Sequence, residues 1–73
     1  MNMSDAVLER VVNLVSEGYD VRFTDFFSKD AIRICVRKNY RDAAQVVTIE
    51  EIKQSKFDAV LYAINRLVNL VDA

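Results

Sequence analysis

The order of apolar and polar residues predicts an α+β fold, in which a three-stranded antiparallel sheet has two helices packed on one face. Three observations support this prediction: an amphipathic helical pattern near each end, strand-like alternation through the middle, and a chain with one glycine and no proline. The expected element order is α-β-β-β-α. Because 73 residues leave room for one small core, we expect a single domain over residues 1–73.

The first helix is expected from about Asp5 to Glu17. Ser4 precedes it as a suitable N-cap residue, and the Asp5 carboxylate suits the positive end of the helix dipole. Apolar residues at helical spacing predict its core-facing side: Leu8, Val11, Val12 and Val15, with Leu14 to one side. Gly18 stands where a helix commonly ends in the left-handed conformation, so we expect it to terminate this helix.

Alternation of apolar and polar residues predicts the three strands. In YDVRFTDF the residues expected to face the core are Tyr19, Val21 and Phe23. In AIRICVRK the inward residues are Ile32, Ile34 and Val36, and the outward residues are Arg33, Cys35 and Arg37. AAQVVTI is predicted to be the third strand, with either Val46 or Val47 facing inward. The connections DFFSKD and KNYRD are compatible with antiparallel hairpins.

Two helix-start signals follow the strands. Thr48 and Glu51 have the spacing of a capping box, which predicts a short helical turn over Ile49–Gln54. Ser55 and Asp58 repeat the signal, which predicts the main helix from about Lys56 to Val71. Its core stripe is Phe57, Val60, Leu61, Ile64, Leu67, Val68 and Val71.

Several functions are excluded by composition. The chain has no histidine and one cysteine, so it lacks a Ser-His or Cys-His nucleophile pair and an ordinary zinc site. One glycine cannot build a phosphate-binding loop, and no run of about 18 apolar residues predicts a membrane span. We therefore expect no enzyme, no cofactor, no metal and no membrane insertion. A lone cysteine and the absence of a signal-peptide pattern fit the cytoplasm.

Three surfaces are candidates for binding. The first is the uncovered sheet face with Arg22, Arg33 and Arg37, extended by residues of the following turn. This face contacts phosphates or an acidic partner, or it is simply solvated. The second is surplus apolar surface, including Tyr62 and Leu70 and the adjacent loop residues Phe26 and Phe27, which fits a homodimer or a partner interface. The third is the KQSK stretch from Lys53 to Lys56, which either contacts phosphate or is a solvated turn. The partner-binding candidates are Arg22, Phe26, Phe27, Arg33, Arg37, Lys38, Tyr40 and Arg41.

Two resemblances give these surfaces a context. The element order, with Lys53 and Lys56 at the start of the last helix, resembles the double-stranded-RNA-binding domain, which would imply a nucleic-acid-binding module. The run from SEGYDVRF through DAIRICVRK to FDAVLYAINRL resembles small phage and prophage proteins of Gram-positive bacteria, some of which are anti-CRISPR inhibitors. Those inhibitors are acidic and imitate DNA, whereas this chain has a net charge of −1 and arginines on its sheet.

The phage resemblance implies a non-catalytic binding protein that inhibits a host or CRISPR-type defence protein in the cytoplasm of an infected bacterium. Another protein is then the expected partner. The alternatives are the nucleic-acid-binding module and a homodimeric phage structural or assembly protein. Steep salt dependence of binding indicates phosphate contacts, and concentration-dependent sedimentation indicates the homodimer.

Overall fold

A computed structural model describes residues 5–25 and 30–73 of the chain. Its elements, in order, are α1 (Asp5–Ser16), β1 (Asp20–Asp25), β2 (Ala31–Lys38), β3 (Arg41–Thr48), α2 (Ile49–Ser55) and α3 (Asp58–Asp72). The three strands form one antiparallel sheet in the order β1-β2-β3. The predicted α+β fold class and α-β-β-β-α order are confirmed, whereas the expected Ser4 cap lies outside the described residues.

Strand pairing sets which side chains share a face of the sheet. β1 pairs with β2 so that Phe23 lies opposite Ile34, and β2 pairs with β3 so that Ile32 lies opposite Val47. Residues directly opposite each other in an antiparallel pair point to the same face. Val47 therefore faces the core, where it is buried, and Val46 faces outward, which decides the facing of the third strand.

The hydrophobic core lies between the sheet and the helices. α3 packs against β2 and β3, and α1 packs against β1 and α3. Fully buried side chains from the sheet, Ile34 and Val36, meet Ile64 and Leu67 of α3. Burial of one such side chain contributes about 1.5–3 kcal/mol relative to leaving it exposed. The stripe predicted on α3 is confirmed, with Phe57 and Leu61 only partly buried at its margin.

The core-facing side predicted for the first helix is wrong. Val7 and Leu14 are buried, at 0% and 1% exposure, whereas Leu8, Val12 and Val15 are 51%, 57% and 55% exposed. Val11 is partly buried against the core. Apolar residues cover more than half of the circumference of this helix, so periodicity alone allowed two rotations. Packing on β1 and α3 selects the one that buries Leu14.

Gly18 ends α1 as predicted. Its φ is +96°, and the N–H of Tyr19 donates to the Leu14 carbonyl at 3.0 Å, so the chain turns back directly into β1. The capping box at α2 is also confirmed. The Thr48 N–H donates to Glu51 Oε1 at 3.1 Å, and the Glu51 N–H donates to Thr48 Oγ1 at 3.1 Å. The Thr48 hydroxyl also donates to Glu51 Oε1, at 2.9 Å, so the carboxylate accepts from both the N–H and the hydroxyl of Thr48, and these two bonds, in that order, lower the pKa of Glu51.

The last helix begins two residues later than predicted. Lys56 and Phe57 both adopt left-handed backbone conformations, with φ of 54° and 76°, so they separate α2 from α3. Two consecutive left-handed residues without glycine are uncommon. Ser55 still acts at the start of α3, because its Oγ accepts the Ala59 N–H at 3.0 Å.

Candidate functional site: the open face of the sheet

One face of the sheet is left uncovered by the helices, and we call it the open face. The pairing register arranges its side chains in three cross-strand rows. The rows are Asp20, Arg37 and Asp42; then Arg22, Cys35 and Ala44; then Thr24, Arg33 and Val46. All of these side chains are exposed except Cys35, which is half-buried. Alternation in β1 and β2, together with the facing of β3, therefore builds one flat, accessible surface.

Most of the positive charge on the open face is balanced by carboxylates. Arg22 Nη2 lies 3.1 Å from Asp20 Oδ2, and Arg37 stands between Asp20 and Asp42 in its row. The Arg22–Asp20 pair is well exposed, so it adds little to stability. Three arginines against two aspartates leave this face with a net charge of +1.

Arg33 differs from the other two arginines. Its cross-strand neighbours are the uncharged Thr24 and Val46. Its guanidinium takes part in no hydrogen bond or ion pair within residues 5–25 and 30–73. A guanidinium is suited to bidentate contact with a carboxylate or phosphate. Arg33 is therefore the one arginine of this face that has no ion pair within the described residues and no acidic residue in its row.

The centre of the open face is a shallow depression, because small side chains lie between longer ones. Cys35 and Ala44 are opposite each other in the middle row. Two open clefts of about 200 and 300 Å³ meet there, and both are lined by Cys35 and Asp42. Arg33 lines the second cleft. A side chain of a binding partner can enter this depression beside the unpaired guanidinium.

The other basic candidates lie elsewhere. Lys38 and Arg41 are opposite each other on the helix side of the sheet, since both occupy inward register positions. They line a cleft of about 280 Å³ together with Asp72 at the end of α3. The surface predicted from the sequence as one basic face is therefore two, one on each side of the sheet.

Aromatic and acidic side chains engage the second basic group. Lys38 Nζ lies 4.3 Å from the centroid of the Tyr19 ring, which is a cation–π contact. The Tyr19 hydroxyl lies 2.7 Å from both carboxylate oxygens of Asp72 and donates to that carboxylate. This hydrogen bond, followed by burial, raises the pKa of Tyr19 above its usual 10.0. Lys38 thus has a structural role against Tyr19.

The remaining candidates divide as follows. Tyr40 is fully exposed at the tip of the β2–β3 hairpin, where Asn39 has a φ of 57°. Phe26 and Phe27, predicted as anchors, lie outside the described residues. Lys53 is exposed on α2, and Lys56 lies in the link before α3, so α3 itself begins with Asp58.

The sequence predicted that part of the third strand lies on the open face, but it left open which residues of β3 these are. Asp42, Ala44 and Val46 complete the rows of this face, and Asp42 supplies acid beside Arg37. The signal was present in the two-residue turn at Asn39 and Tyr40, because turn length fixes hairpin register and therefore facing.

Comparison with protein-family models, with curated proteins and with solved structures gives no match to this chain. In the part of the chain that the structure describes, no helix is long and apolar enough to cross a membrane. Within the same residues, no cluster of cysteine and carboxylate side chains is arranged to hold a metal ion. The fold and its surface thus define a small α+β protein with an uncovered, mixed-charge sheet face.

Proposed function

We propose that this protein works without catalysis, by binding another protein through the open face. The observation that supports this most is the position of the unpaired Arg33 beside the depression at Cys35 and Ala44. A partner surface that offers a carboxylate to Arg33 and a small apolar side chain to the depression complements this arrangement. The aspartates around Arg37 then favour a partner that carries charges of both signs.

The most concrete form of this proposal is inhibition of a host or CRISPR-type defence protein in the cytoplasm of a phage-infected bacterium. It is supported by the resemblance of SEGYDVRF, DAIRICVRK and FDAVLYAINRL to small phage proteins. Since the open face has a net charge of +1, the proposed inhibitor does not imitate an acidic DNA backbone. It blocks its target by direct protein contact and needs no cofactor.

Nucleic acid is the alternative partner that an experiment must separate. A phosphate approaching Arg37 meets Asp20 and Asp42 in the same row. The lysines expected on the last helix precede it, and the first turn of α3 contains Asp58. Both features weaken the electrostatic attraction on which binding to phosphate backbones depends.

Affinity capture with nuclease treatment tests the proposal. The tagged full chain is incubated with lysate of Gram-positive bacteria, with and without nuclease, and captured proteins are identified by mass spectrometry. We expect a discrete protein that is retained after nuclease treatment. Capture that disappears with nuclease would show that phosphate is the ligand, and the protein-binding proposal would be abandoned.

Matched charge variants assign the captured protein to the open face. Arg33→Glu reverses the unpaired charge on an exposed strand position, and Lys53→Glu makes the same change in charge on exposed α2. We expect Arg33→Glu to abolish capture and Lys53→Glu to retain it. Equal capture by both variants would exclude the open face as the binding site. Circular dichroism of both variants confirms that the fold is intact.

A further inference from the structure

The exposed apolar side chains of α1 form a continuous stripe. Leu8, Val12 and Val15 are four and three residues apart, which places them on one side of a helix with 3.6 residues per turn. Arg10 lies on the opposite side, where its Nε donates to Asn65 Oδ1 of α3 at 2.9 Å. The stripe therefore faces away from α3. We call it the α1 flank.

Next to the α1 flank lies a free edge of the sheet. Among the strands within residues 5–25 and 30–73, β1 pairs only with β2, so its other edge has backbone N–H and C=O groups that no described strand pairs with. Its pairing with β2 runs without a bulge from Asp20 to Asp25, and its inward residues Val21 and Phe23 are only half-buried. Proteins commonly protect such edges with charged side chains, proline or a bulge; β1 has neither proline nor a bulge, and its charged residues are Asp20, Arg22 and Asp25.

The other free edge of the sheet is different. β3 places Arg41 and Gln45 on the helix side, and α2 packs against this strand. Gln45 is engaged there, because its Oε1 accepts a hydrogen bond from Arg66 Nη1 at 2.8 Å. Of the two sheet edges that the described residues form, the β1 edge is therefore the one that combines unpaired backbone with an adjoining apolar helix surface.

We propose that a second copy of this chain pairs with the β1 edge, strand antiparallel to strand and α1 flank against α1 flank. The charges of β1 favour this occupant because they are self-complementary. With the two-fold axis at Val21, Asp20 of each copy lies opposite Arg22 of the other, and Val21 lies opposite its own equivalent. Opposite charges at directly facing positions stabilise antiparallel pairs, whereas like charges destabilise them.

The same axis suits the helices. Tyr19 is level with Leu14, to which it is hydrogen-bonded, and Val21 lies about 6.6 Å further along the strand at 3.3 Å per residue. Moving that distance back along α1 at about 1.5 Å per residue covers about four residues and reaches the region of Arg10. The axis therefore passes level with the half of the α1 flank between Leu8 and Val12. Antiparallel packing then places Leu8 close to Val12 of the second copy.

The size of the contact sets the expected affinity. α1 has 12 residues and β1 has six, so each element is about 18–20 Å long. A standard interface buries about 800 Å² per partner, and a flank this short provides less than that from a total surface of 5238 Å². We therefore expect weak, reversible dimerisation that becomes appreciable only well above low micromolar concentration. This inference does not depend on what the open face binds.

Sedimentation velocity of the full chain between about 1 µM and 1 mM tests the dimer. We expect a concentration-dependent shift from monomer to dimer, and Val12→Asp is expected to raise the dissociation constant at least tenfold. Tyr62→Asp is the matched control, because Tyr62 is an exposed residue of α3, and it is expected to leave the dissociation constant unchanged. A monomer at all concentrations, or association that Val12→Asp does not weaken, overturns the inference.

Charge exchange tests the strand pairing separately. Asp20→Arg alone places arginines opposite arginines across the axis, and Arg22→Asp alone places aspartates opposite aspartates. Each variant is expected to remain monomeric by itself, whereas an equimolar mixture forms a heterodimer that native mass spectrometry identifies by its mass. Both variants lose the Asp20–Arg22 ion pair within the chain. If loss of that ion pair alone prevented dimerisation, mixing the two variants would not restore it. Failure of the mixture to associate overturns pairing through β1.

Discussion

The rotation of α1 predicts opposite outcomes for two leucines of the same helix. Leu14 is 1% exposed and Leu8 is 51% exposed. Truncation of a buried leucine to alanine costs about 2–5 kcal/mol, through lost burial and the cavity left behind. At about 0.05–0.15 kcal/mol per residue, a chain of 73 residues has a total stability of about 4–11 kcal/mol. Leu14→Ala is therefore expected to remove a large part of it.

Thermal and urea unfolding of both variants measures this difference. A loss of about 3 kcal/mol lowers the Tm by about 12–24 °C in a protein of this size. Leu8→Ala is expected to stay within about 0.5 kcal/mol of the wild type, as exposed substitutions usually do. The measurements belong at low micromolar concentration, so that self-association through the α1 flank contributes little. Equal losses for the two variants would refute the rotation of α1 and, with it, the exposed apolar stripe.

Four further predictions concern single positions. Gly18→Ala is expected to lower the free energy of unfolding by about 1–2 kcal/mol. This loss comes from the left-handed backbone alone, because no atom lies within 4 Å of the added Cβ. Gly18→Asn should lose less, and equal Tm values for the wild type and both variants would contradict this reasoning. Thr48→Ala is expected to cost about 0.5–2 kcal/mol through loss of the cap. Folding lowers the pKa of Glu51, so the stability that its carboxylate contributes is present above pH 4.5 and is lost as the pH falls through the lowered pKa. The Tm of the wild type should therefore exceed that of Glu51→Gln by less and less on acidification. A Tm difference independent of pH would contradict the role of the Glu51 carboxylate in the cap. Asp72 raises the pKa of Tyr19, so the stabilisation from this pair is present below about pH 10 and is lost as the pH rises through the raised pKa. Ultraviolet titration should show a lower Tyr19 pKa in Asp72→Asn than in the wild type. An unchanged titration curve would rule out the hydrogen bond as the cause of the raised pKa.

The element order was predictable from the sequence because alternation, capping and the single glycine all agree. Tyr19–Phe23 and Ile32–Val36 alternate strictly, and the structure gives them the predicted facing. Thr48 and Glu51 form the predicted cap because the capping box is a purely local interaction. Local signals of this kind need no knowledge of tertiary packing.

The rotation of α1 could not be predicted in the same way. A helix with apolar residues at Val7, Leu8, Val11, Val12, Leu14 and Val15 offers two core-facing sides of similar hydrophobicity. Only contact with β1 and α3 decides between them. The link at Lys56 and Phe57 was missed for a related reason, since two left-handed residues without glycine carry no local sequence signal.

The composition of the open face was partly predictable. The positions of Arg22, Arg33 and Arg37 follow from alternation. The prediction that Lys38 and Arg41 extend the same surface was wrong, because the hairpin register decides which side of the sheet they occupy. In the structure these two lie across the sheet, near Asp72. The difference in charge environment between Arg33 and Arg37 depends on Asp42 of β3, which pairing brings to that row. Cross-strand neighbours of this kind are set by register and not by the local pattern.

Blocking the depression on the open face tests the proposed function most directly. Ala44→Tyr fills the depression from an exposed strand position, and Asn69→Tyr adds the same side chain to exposed α3 on the opposite side of the sheet. In nuclease-treated lysate, capture of the partner protein is expected to be lost with Ala44→Tyr and retained with Asn69→Tyr. Retention of the same partner by a folded Ala44→Tyr variant would contradict binding through the open face.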